Sequence, residues 1–195
     1  MRVVVATGNR GKLGELTALL APLGVDLLPQ SAYGVEPPPE TGTTFLSNAL
    51  IKARHAARVA QLPAVADDSG LEVDALGGAP GVYSARYAGE GSDAAANNAK
   101  LLKALTGVPP EKRRARFRAI IVFVRSAVDP HPLVGEGVWE GRIALAPRGI
   151  GGFGFDPLFE PLDSTWTAAE LTPDDKNARS HRGAALRALV ARWPR

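Results

Sequence analysis

Along the chain, segments with short apolar runs or a two-residue hydrophobic period, which predict strands, alternate with segments of 3.6-residue period, which predict helices. A short β-branched run over 3–6 is typical of a buried strand. Leucines then recur at helical spacing, at Leu13, Leu16, Leu19 and Leu20, so that they share one helix face. The chain therefore opens with a predicted strand, a glycine-bearing turn and a helix.

The same patterns predict further elements along the chain. They are a strand at 25–28, a helix over 44–60, a buried strand at 64–66 that ends at Asp67-Asp68, a hairpin partner at 71–75, a helix capped by Ser92 and running to Leu105, strands at 114–124 and 133–143, and a helix capped by Thr172. Proline- and glycine-rich segments at 36–40, 77–91 and 147–154 predict loops. Because strands alternate with helices, we expect an α/β fold with a central mixed β-sheet and flanking helices.

Length and composition narrow the class of protein. The 195 residues suit a single domain over 1–195, which we expect to form two lobes around a cleft. The absence of cysteine excludes disulfides, thiolate zinc sites and a cysteine nucleophile. The three histidines are far apart in sequence, so carboxylates would hold a bound metal, which favours Mg²⁺ or Mn²⁺.

Charge and hydropathy indicate which partners to expect. No apolar run approaches the roughly 18 residues that span a membrane, and residues 1–5 lead directly into the first motif, so we expect no signal peptide. We therefore predict a cytoplasmic protein without a membrane partner. The net charge of +3 suits a polyphosphate ligand, and the arginines at 114, 116 and 118 are typical of a solvated strand face rather than of a nucleic-acid site.

The first polar motif lies where the first strand meets the first helix. Backbone N–H groups at such a turn point outward and the helix dipole favours anions, while a lysine adds a positive charge. An ordinary strand-to-helix turn is the alternative interpretation. The turn is not a Walker A loop, because Ala6 and Leu13 replace the required glycine and hydroxyl residues. The candidate phosphate-binding residues are Thr7, Gly8, Asn9, Arg10, Gly11 and Lys12.

Asp67 and Asp68 form a carboxylate pair after a buried strand, where sites of α/β proteins gather. Adjacent strand residues point to opposite faces, so we expect only one of the two to face a metal and the other to be structural. Ser69 either brings a hydroxyl to a phosphate or belongs to a turn. Glu40 is a candidate ligand or a solvated loop acid, and Lys52 reaches a phosphate or extends its amine to solvent.

Two later motifs supply aromatic rings and hydrogen-bond donors. Phe153 and Phe155 flank Gly154 and form a wall on which a base can stack, with Asp156 as an acceptor, or else the rings belong to the core. His181 and Arg182 can donate to a carbonyl oxygen of a base, and the alternative is a helix surface. Ser180 before them and Gly183 after them predict a loop-to-helix junction.

Jointly these motifs resemble the non-canonical purine nucleoside triphosphate pyrophosphatases, also called inosine triphosphate or XTP/dITP diphosphatases. The resemblance extends from Val4 to about Leu189. It rests on the segments 40–45, 48–54, 66–71, 77–87, 152–157, 169–171 and 180–183.

The resemblance implies a homodimer with two lobes around a nucleotide-binding cleft. It also implies Mg²⁺-dependent hydrolysis of XTP, ITP and dITP to the monophosphate and pyrophosphate, which cleanses the nucleotide pool. Matched motif by motif, residues 7–12 would hold the triphosphate, Glu40 and Asp68 would bind Mg²⁺, and Asp68 would accept the proton. Contacts to the substrate would also come from Ser69, Phe153, Gly154, Phe155, Asp156, Lys176, His181 and Arg182, and Lys52 would neutralise the leaving group.

One position departs from the family pattern, because Ser47 stands where many relatives carry an acid. If that acid organises the metal, the metal shell of this protein is looser. Two rival functions stay open at this stage: a pyrophosphatase of different nucleotide specificity, and a nucleotide sensor that does not turn its ligand over. The Asp67-Asp68 pair argues against the sensor.

Overall fold

A computed structural model describes residues 1–21 and 24–193, without the side chains of Arg10 and Leu19. The strands in this part are β1 (Arg2–Val5), β2 (Asp26–Pro29), β3 (Ala64–Val73), β4 (Arg114–Val124), β5 (Leu133–Ile143) and β6 (Phe159–Pro161). The helices are α1 (Arg10–Leu20), α2 (Phe45–Ala60), α3 (Ala94–Ala104), α4 (Pro173–Arg179) and α5 (His181–Val190).

The strands form one six-stranded sheet in the order β2-β1-β3-β4-β5-β6. β1 pairs in parallel with both β2 and β3, whereas β5 and β6 are antiparallel. The sheet is therefore mixed, and the predicted α/β class is confirmed. Its central strand β3 carries the Asp67-Asp68 pair, next to the strand that leads into the glycine-bearing turn.

The chain divides into two compact units, each with its own core. Unit 1 comprises Met1–Asp68, Ala119–Gly137 and His181–Arg195, and unit 2 comprises Ser69–Arg118 and Val138–Ser180. The core of unit 1 is built from aliphatic residues of β1, β3, β4, α1 and α5. In the core of unit 2, Phe159 packs against Phe117 and Trp139 with ring centroids 4.4 and 5.3 Å apart. A single domain with a nucleotide-binding cleft stays a prediction.

Side-chain caps begin the helices that carry site residues. Asn9 accepts from the backbone N–H of Lys12 at the start of α1, and Thr172 accepts from that of Asp175 at the start of α4. Thr44 and Ser47 form a reciprocal capping box at α2, which satisfies two backbone donors at once. The predicted cap at Thr172 is confirmed, whereas Thr44, predicted as the first residue of the helix, is its cap.

Two predicted boundaries and one predicted element are wrong. β3 does not end at Asp67-Asp68 but continues to Val73, so residues 71–73 extend the same strand instead of returning as a hairpin partner. The continuation is possible because the Asp67 and Asp68 carboxylates find cationic partners beside the sheet. Asp93 and not Ser92 caps α3, and Ser92 instead donates to Asn97.

Sequence patterns missed β6, because three residues are too short to show a period. Ser180 has an extended backbone that separates α4 from α5. No helix in the described ranges 1–21 and 24–193 has the length and apolar character to span a bilayer.

Candidate active site

The turn between β1 and α1 is held by its own side chains. Thr7 Oγ1 accepts from the backbone N–H of Asn9 at 3.1 Å, and Asn9 Oδ1 accepts from that of Lys12 at 3.1 Å. The turn thus presents Lys12 from the first turn of α1. The side chain of the sixth candidate, Arg10, lies outside the described part of the structure, while Gly8 and Gly11 contribute backbone only.

Asp67 is the centre of a buried charge cluster in unit 1. Its carboxylate pairs with the ammonium of Lys12 and with the guanidinium of Arg182, whose Nε lies 3.1 Å from Oδ2. Arg182 also pairs with Glu15, a residue of α1. Two cations therefore share two carboxylates around the buried Asp67 and Arg182, with Lys12 and Glu15 partly exposed, and this pairing makes the buried charges tolerable.

The pKa of Asp67 reflects this surplus of neighbouring positive charge. Burial alone would raise the pKa of the Asp67 carboxyl, but the charges of Arg182 and Lys12 outweigh burial and hold it well below its ordinary range. Burial lowers the pKa of Lys12, and the repulsion from Lys52 and Arg182 adds to that effect. Asp67 is therefore ionised at any physiological pH and cannot act as a proton acceptor that cycles near neutrality.

Asp68 has different partners from its neighbour, as predicted for adjacent strand residues. Its Oδ1 lies 2.5 Å from Lys52 Nζ, which also lies 3.2 Å from Glu40 Oε1. Burial raises the pKa of Asp68, and the attraction of Lys52 offsets only part of this rise. Burial lowers the pKa of Lys52, but Asp68 and Glu40 outweigh it, so that the lysine stays charged.

The donor set around Lys52 fits a hard divalent cation. Glu40 and Asp68 come from separate segments and converge on one ammonium group, so both carboxylates are directed at a common cation position. Residues 1–21 and 24–193 contain no group of three or more His, Cys, Asp or Glu side chains that could hold a metal ion. Mg²⁺ in proteins is usually bound by one or two carboxylates together with water and substrate phosphate oxygens.

A second cluster, in unit 2, joins two motifs that lie 20 residues apart in sequence. Asp156 Oδ2 accepts from Lys176 Nζ at 2.6 Å and from the backbone N–H of Phe153 at 2.7 Å. Lys176 Nζ also lies 4.7 Å from the centroid of the Phe153 ring. Gly154 has a φ of 62°, which lets the chain turn back and close this contact.

The two phenylalanines of this turn differ in exposure. Phe153 is half-buried and contacts Lys176, so one of its ring faces is engaged by a cation. Phe155 is 4% exposed and packs in the core of unit 2. A flat wall made by both rings is therefore not what the structure shows, because alternate residues of the turn point in different directions. A base contact by Phe155 stays a prediction.

His181 and Arg182 open α5, directly after the break at Ser180. The predicted junction is confirmed, but both side chains are buried rather than on a helix surface. Gly137 of β5 permits this, because a Cβ there would collide with the backbone of His181 and Ala185. The guanidinium of Arg182 is directed at Asp67 and Glu15, and its contact with a base stays a prediction.

Glu15 is the charged residue of this site that the sequence motifs missed. It follows Lys12 by three positions in α1, a spacing that places both side chains on one helix face. That spacing was visible in the sequence. An acid on a helix is usually solvent-exposed, however, and the sequence did not indicate that Glu15 would pair with the buried Arg182.

The fold and the site together define a class of protein. A mixed α/β sheet carries two adjacent buried aspartates, each paired with a lysine, and the lysine of Asp67 follows a glycine-bearing turn. This arrangement is suited to an anionic ligand that carries phosphate groups. A sequence model of the Ham1 family matches residues 3–192, and the chain belongs to this family.

Curated relatives and solved structures agree with this assignment. The chain is 58% identical over 192 residues to a dITP/XTP pyrophosphatase of Thioalkalivibrio sulfidiphilus, covering 98% of each chain. It is 54% identical over 189 residues to that of Shigella flexneri, covering 97% of this chain and 96% of the relative. The structure matches a HAM1 protein from Coxiella burnetii with a TM-score of 0.90 and 48% identity, covering 98% of this chain and 97% of the other.

Proposed function

We propose that the protein hydrolyses the non-canonical purine nucleoside triphosphates XTP, ITP and dITP to the nucleoside monophosphate and pyrophosphate. The observation that carries this proposal is the split of the Asp67-Asp68 pair: one carboxylate is locked between two cations, while the other has a raised pKa beside Lys52 and Glu40. The names of the curated relatives support the substrate class.

Asp68 is the proposed proton acceptor for the attacking water. A carboxyl whose pKa is raised by burial is a stronger base than an exposed one, which suits general base catalysis. Lys12 and Lys52 stand on either side of the aspartate pair and neutralise charge on the departing pyrophosphate. Asp67 keeps Lys12 and Arg182 in place throughout.

Glu40 and Asp68 are the residues that would hold Mg²⁺, with Mn²⁺ as a possible substitute. When bound, the ion supplies Lewis-acid polarisation of a phosphoryl oxygen and neutralises its charge. Lys52 contacts both carboxylates and would neutralise phosphate charge beside them. Dependence on Mg²⁺ is part of the proposal.

The base is the proposed ligand of the remaining site residues. Phe153 offers a ring face, the backbone of Gly154 and the Asp156–Lys176 pair offer polar groups, and Ser69 follows the catalytic aspartate in β3. His181 and Arg182 carry donors that suit a 6-oxo purine and not a 6-amino purine. A buried donor that meets an amino group discriminates strongly against adenine nucleotides.

Product analysis on a nucleotide panel tests the proposal. We expect pyrophosphate and the monophosphate from ITP and XTP, much slower turnover of ATP, and loss of activity after EDTA treatment that Mg²⁺ restores. Release of orthophosphate with a diphosphate product would contradict it. Preference for a modified pyrimidine would favour a pyrophosphatase of different specificity, and tight binding without turnover would favour a sensor.

A homodimer, which the family resemblance implies, and a cytoplasmic location also belong to the proposal. Light scattering after size-exclusion chromatography tests the dimer. A mass of about 20.5 kDa, that of one chain, would contradict it.

A further inference from the structure

Asn48 is a buried polar residue in the first turns of α2 to which neither the motifs nor the proposed mechanism gives a role. It is fully buried, and it lies four residues before Lys52, which places both side chains on the same face of the helix. Lys52 is the residue that contacts Glu40 and Asp68. Asn48 therefore lies one helical turn from the proposed metal position.

The side chain of Asn48 ties the segment after Glu40 to α2. Its Oδ1 accepts from the backbone N–H of Gly42 at 2.8 Å. The approach is so close that a Cβ on residue 42 would lie 2.5 Å from the same Oδ1. Three prolines precede Glu40, and they have no backbone N–H with which to fix that side of the segment.

The other end of the amide is buried without a protein partner. Asn48 Nδ2 meets no hydrogen-bond acceptor among the residues that the structure describes. A buried unpaired donor costs about 1–3 kcal/mol, and the bond from Gly42 to Oδ1 offsets part of that cost. Because Nδ2 can only donate, any partner that it takes must be a hydrogen-bond acceptor.

We propose that Asn48 is a positioning residue for the divalent cation: through the N–H of Gly42 it holds the 40–42 segment so that the Glu40 carboxylate stays beside Asp68. This inference rests on the proposed role of Glu40 and Asp68 as ligands. Groups that orient a ligating carboxylate typically contribute 10–100-fold to metal affinity.

The test measures the binding of Mn²⁺ by electron paramagnetic resonance, in the presence of a non-hydrolysable α,β-methylene analogue of ITP. We expect Asn48→Ala and the bulkier Asn48→Leu to raise the Mn²⁺ dissociation constant about tenfold. Asn48→Asp keeps the acceptor for Gly42 and should recover most of the affinity. In Gly42→Ala the new Cβ would lie 2.5 Å from Asn48 Oδ1 and closer still to Ser47 Oγ, so this variant also displaces the contact and should weaken Mn²⁺ binding.

Asn97→Ala is the matched control. Asn97 is likewise a buried asparagine that accepts from a backbone N–H, that of Ala88 at 2.7 Å, but it lies in α3, so this variant should lose thermal stability with Mn²⁺ affinity unchanged. Unchanged Mn²⁺ affinity in a folded Asn48→Ala or Asn48→Leu protein would overturn the inference, as would an Asn48→Asp protein that binds as weakly as they do. If the wild-type protein itself binds no Mn²⁺, the proposed ligand pair fails instead.

The rate provides a second readout. Asn48→Ala should raise the Mg²⁺ concentration needed for half-maximal rate about tenfold, while kcat at saturating Mg²⁺ stays within about threefold of wild type. A purely structural role would lower the melting temperature and leave the Mg²⁺ dependence in place.

Discussion

The two adjacent aspartates show how neighbouring residues of one type acquire different chemistry. Asp67 is 1% exposed and bonded to two cations, so its charge is locked, whereas Asp68 is bonded to Lys52 and keeps a raised pKa. The pleat of β3 separates their environments, because successive side chains leave a strand on opposite faces. One position is therefore suited to structure and the other to proton transfer.

The first prediction concerns these aspartates. Asp68→Asn should lower kcat at least about 100-fold, because the amide cannot accept the proton of the water. Asp67→Asn should reduce kcat less but lower the free energy of unfolding by about 3–5 kcal/mol, since Lys12 and Arg182 then lose the charge between them. Steady-state kinetics and urea unfolding measure the two effects. A larger loss of kcat in folded Asp67→Asn would reverse the assignment.

The second prediction concerns Arg182, which is 2% exposed and paired with Asp67 and Glu15. Arg182→Ala should lower the free energy of unfolding by about 3–5 kcal/mol, because it leaves buried carboxylates without their partner. If the guanidinium also faces the 6-oxo group, the ratio of kcat/KM for ITP over ATP should narrow by about 1–3 kcal/mol.

Arg192→Ala is the control for Arg182, because the Arg192 guanidinium bonds the backbone carbonyl of Val134 at an exposed position. Its stability should stay within about 0.5 kcal/mol of wild type. Wild-type stability in Arg182→Ala would contradict the buried pairing, and an unchanged ITP to ATP ratio would confine Arg182 to holding Asp67.

At the scale of the elements, α5 is placed by glycines of the strand beneath it. Gly135 and Gly137 face the backbone of α5 so closely that neither position has room for a Cβ. This close contact packs the first turn of α5 against β5, and the side chains of His181 and Arg182 are buried there. The position of the polar start of α5 thus depends on the two glycines of β5, which leave room for the helix backbone.

The third prediction follows from this packing. Gly137→Ala should lower the free energy of unfolding by about 1–3 kcal/mol or more, because the new methyl group meets backbone atoms that cannot turn away. Gly14→Ala in α1 is the matched control: a Cβ there meets open space, so alanine should add about 0.5–1 kcal/mol through helix propensity. Urea unfolding of both variants checks the sign, and equal changes in the two would contradict this account of α5.

At the scale of the whole molecule, buried and hydrogen-bonded carboxylates make stability depend on pH. In unit 1, burial opposes ionisation of Asp129, but the N–H groups of Arg125 and His131 outweigh it and lower the pKa of the carboxyl. In unit 2, Arg142 and Arg148 likewise outweigh burial and lower the pKa of Glu160. Together with Asp67, these groups favour the native state most when they are ionised.

The fourth prediction is the resulting acid profile. A carboxyl with a lowered folded pKa binds fewer protons when folded than when unfolded, so its contribution is complete above about pH 4–5 and is lost as the pH falls further. The melting temperature should therefore drop steadily below about pH 4. Circular dichroism at a series of pH values measures it, and Asp67→Asn should show a shallower drop. A flat profile down to pH 3 would contradict the pKa directions.

Much of the element order could be predicted from the sequence, because helix and strand periods arise from residues only a few positions apart. The strands at 114–124 and 133–143 and the helix after Thr44 follow the predicted bounds closely. The carboxylate pair, the turn with Lys12 and the break near Ser180 were also visible. A match to the Ham1 family over 3–192 agrees with the resemblance on which the site residues were chosen.

Only the tertiary structure decided which charges meet. Asp67 and Arg182 are 115 residues apart in sequence, and their pairing depends on β3 and α5 being brought together within unit 1. The burial of Phe155, the partnership of Glu15 and the tie from Asn48 to Gly42 have the same origin. Local sequence sets the period of each element, but desolvation and ion pairing depend on groups that the sequence places far apart, so the chemistry of the site appears only when the chain is folded.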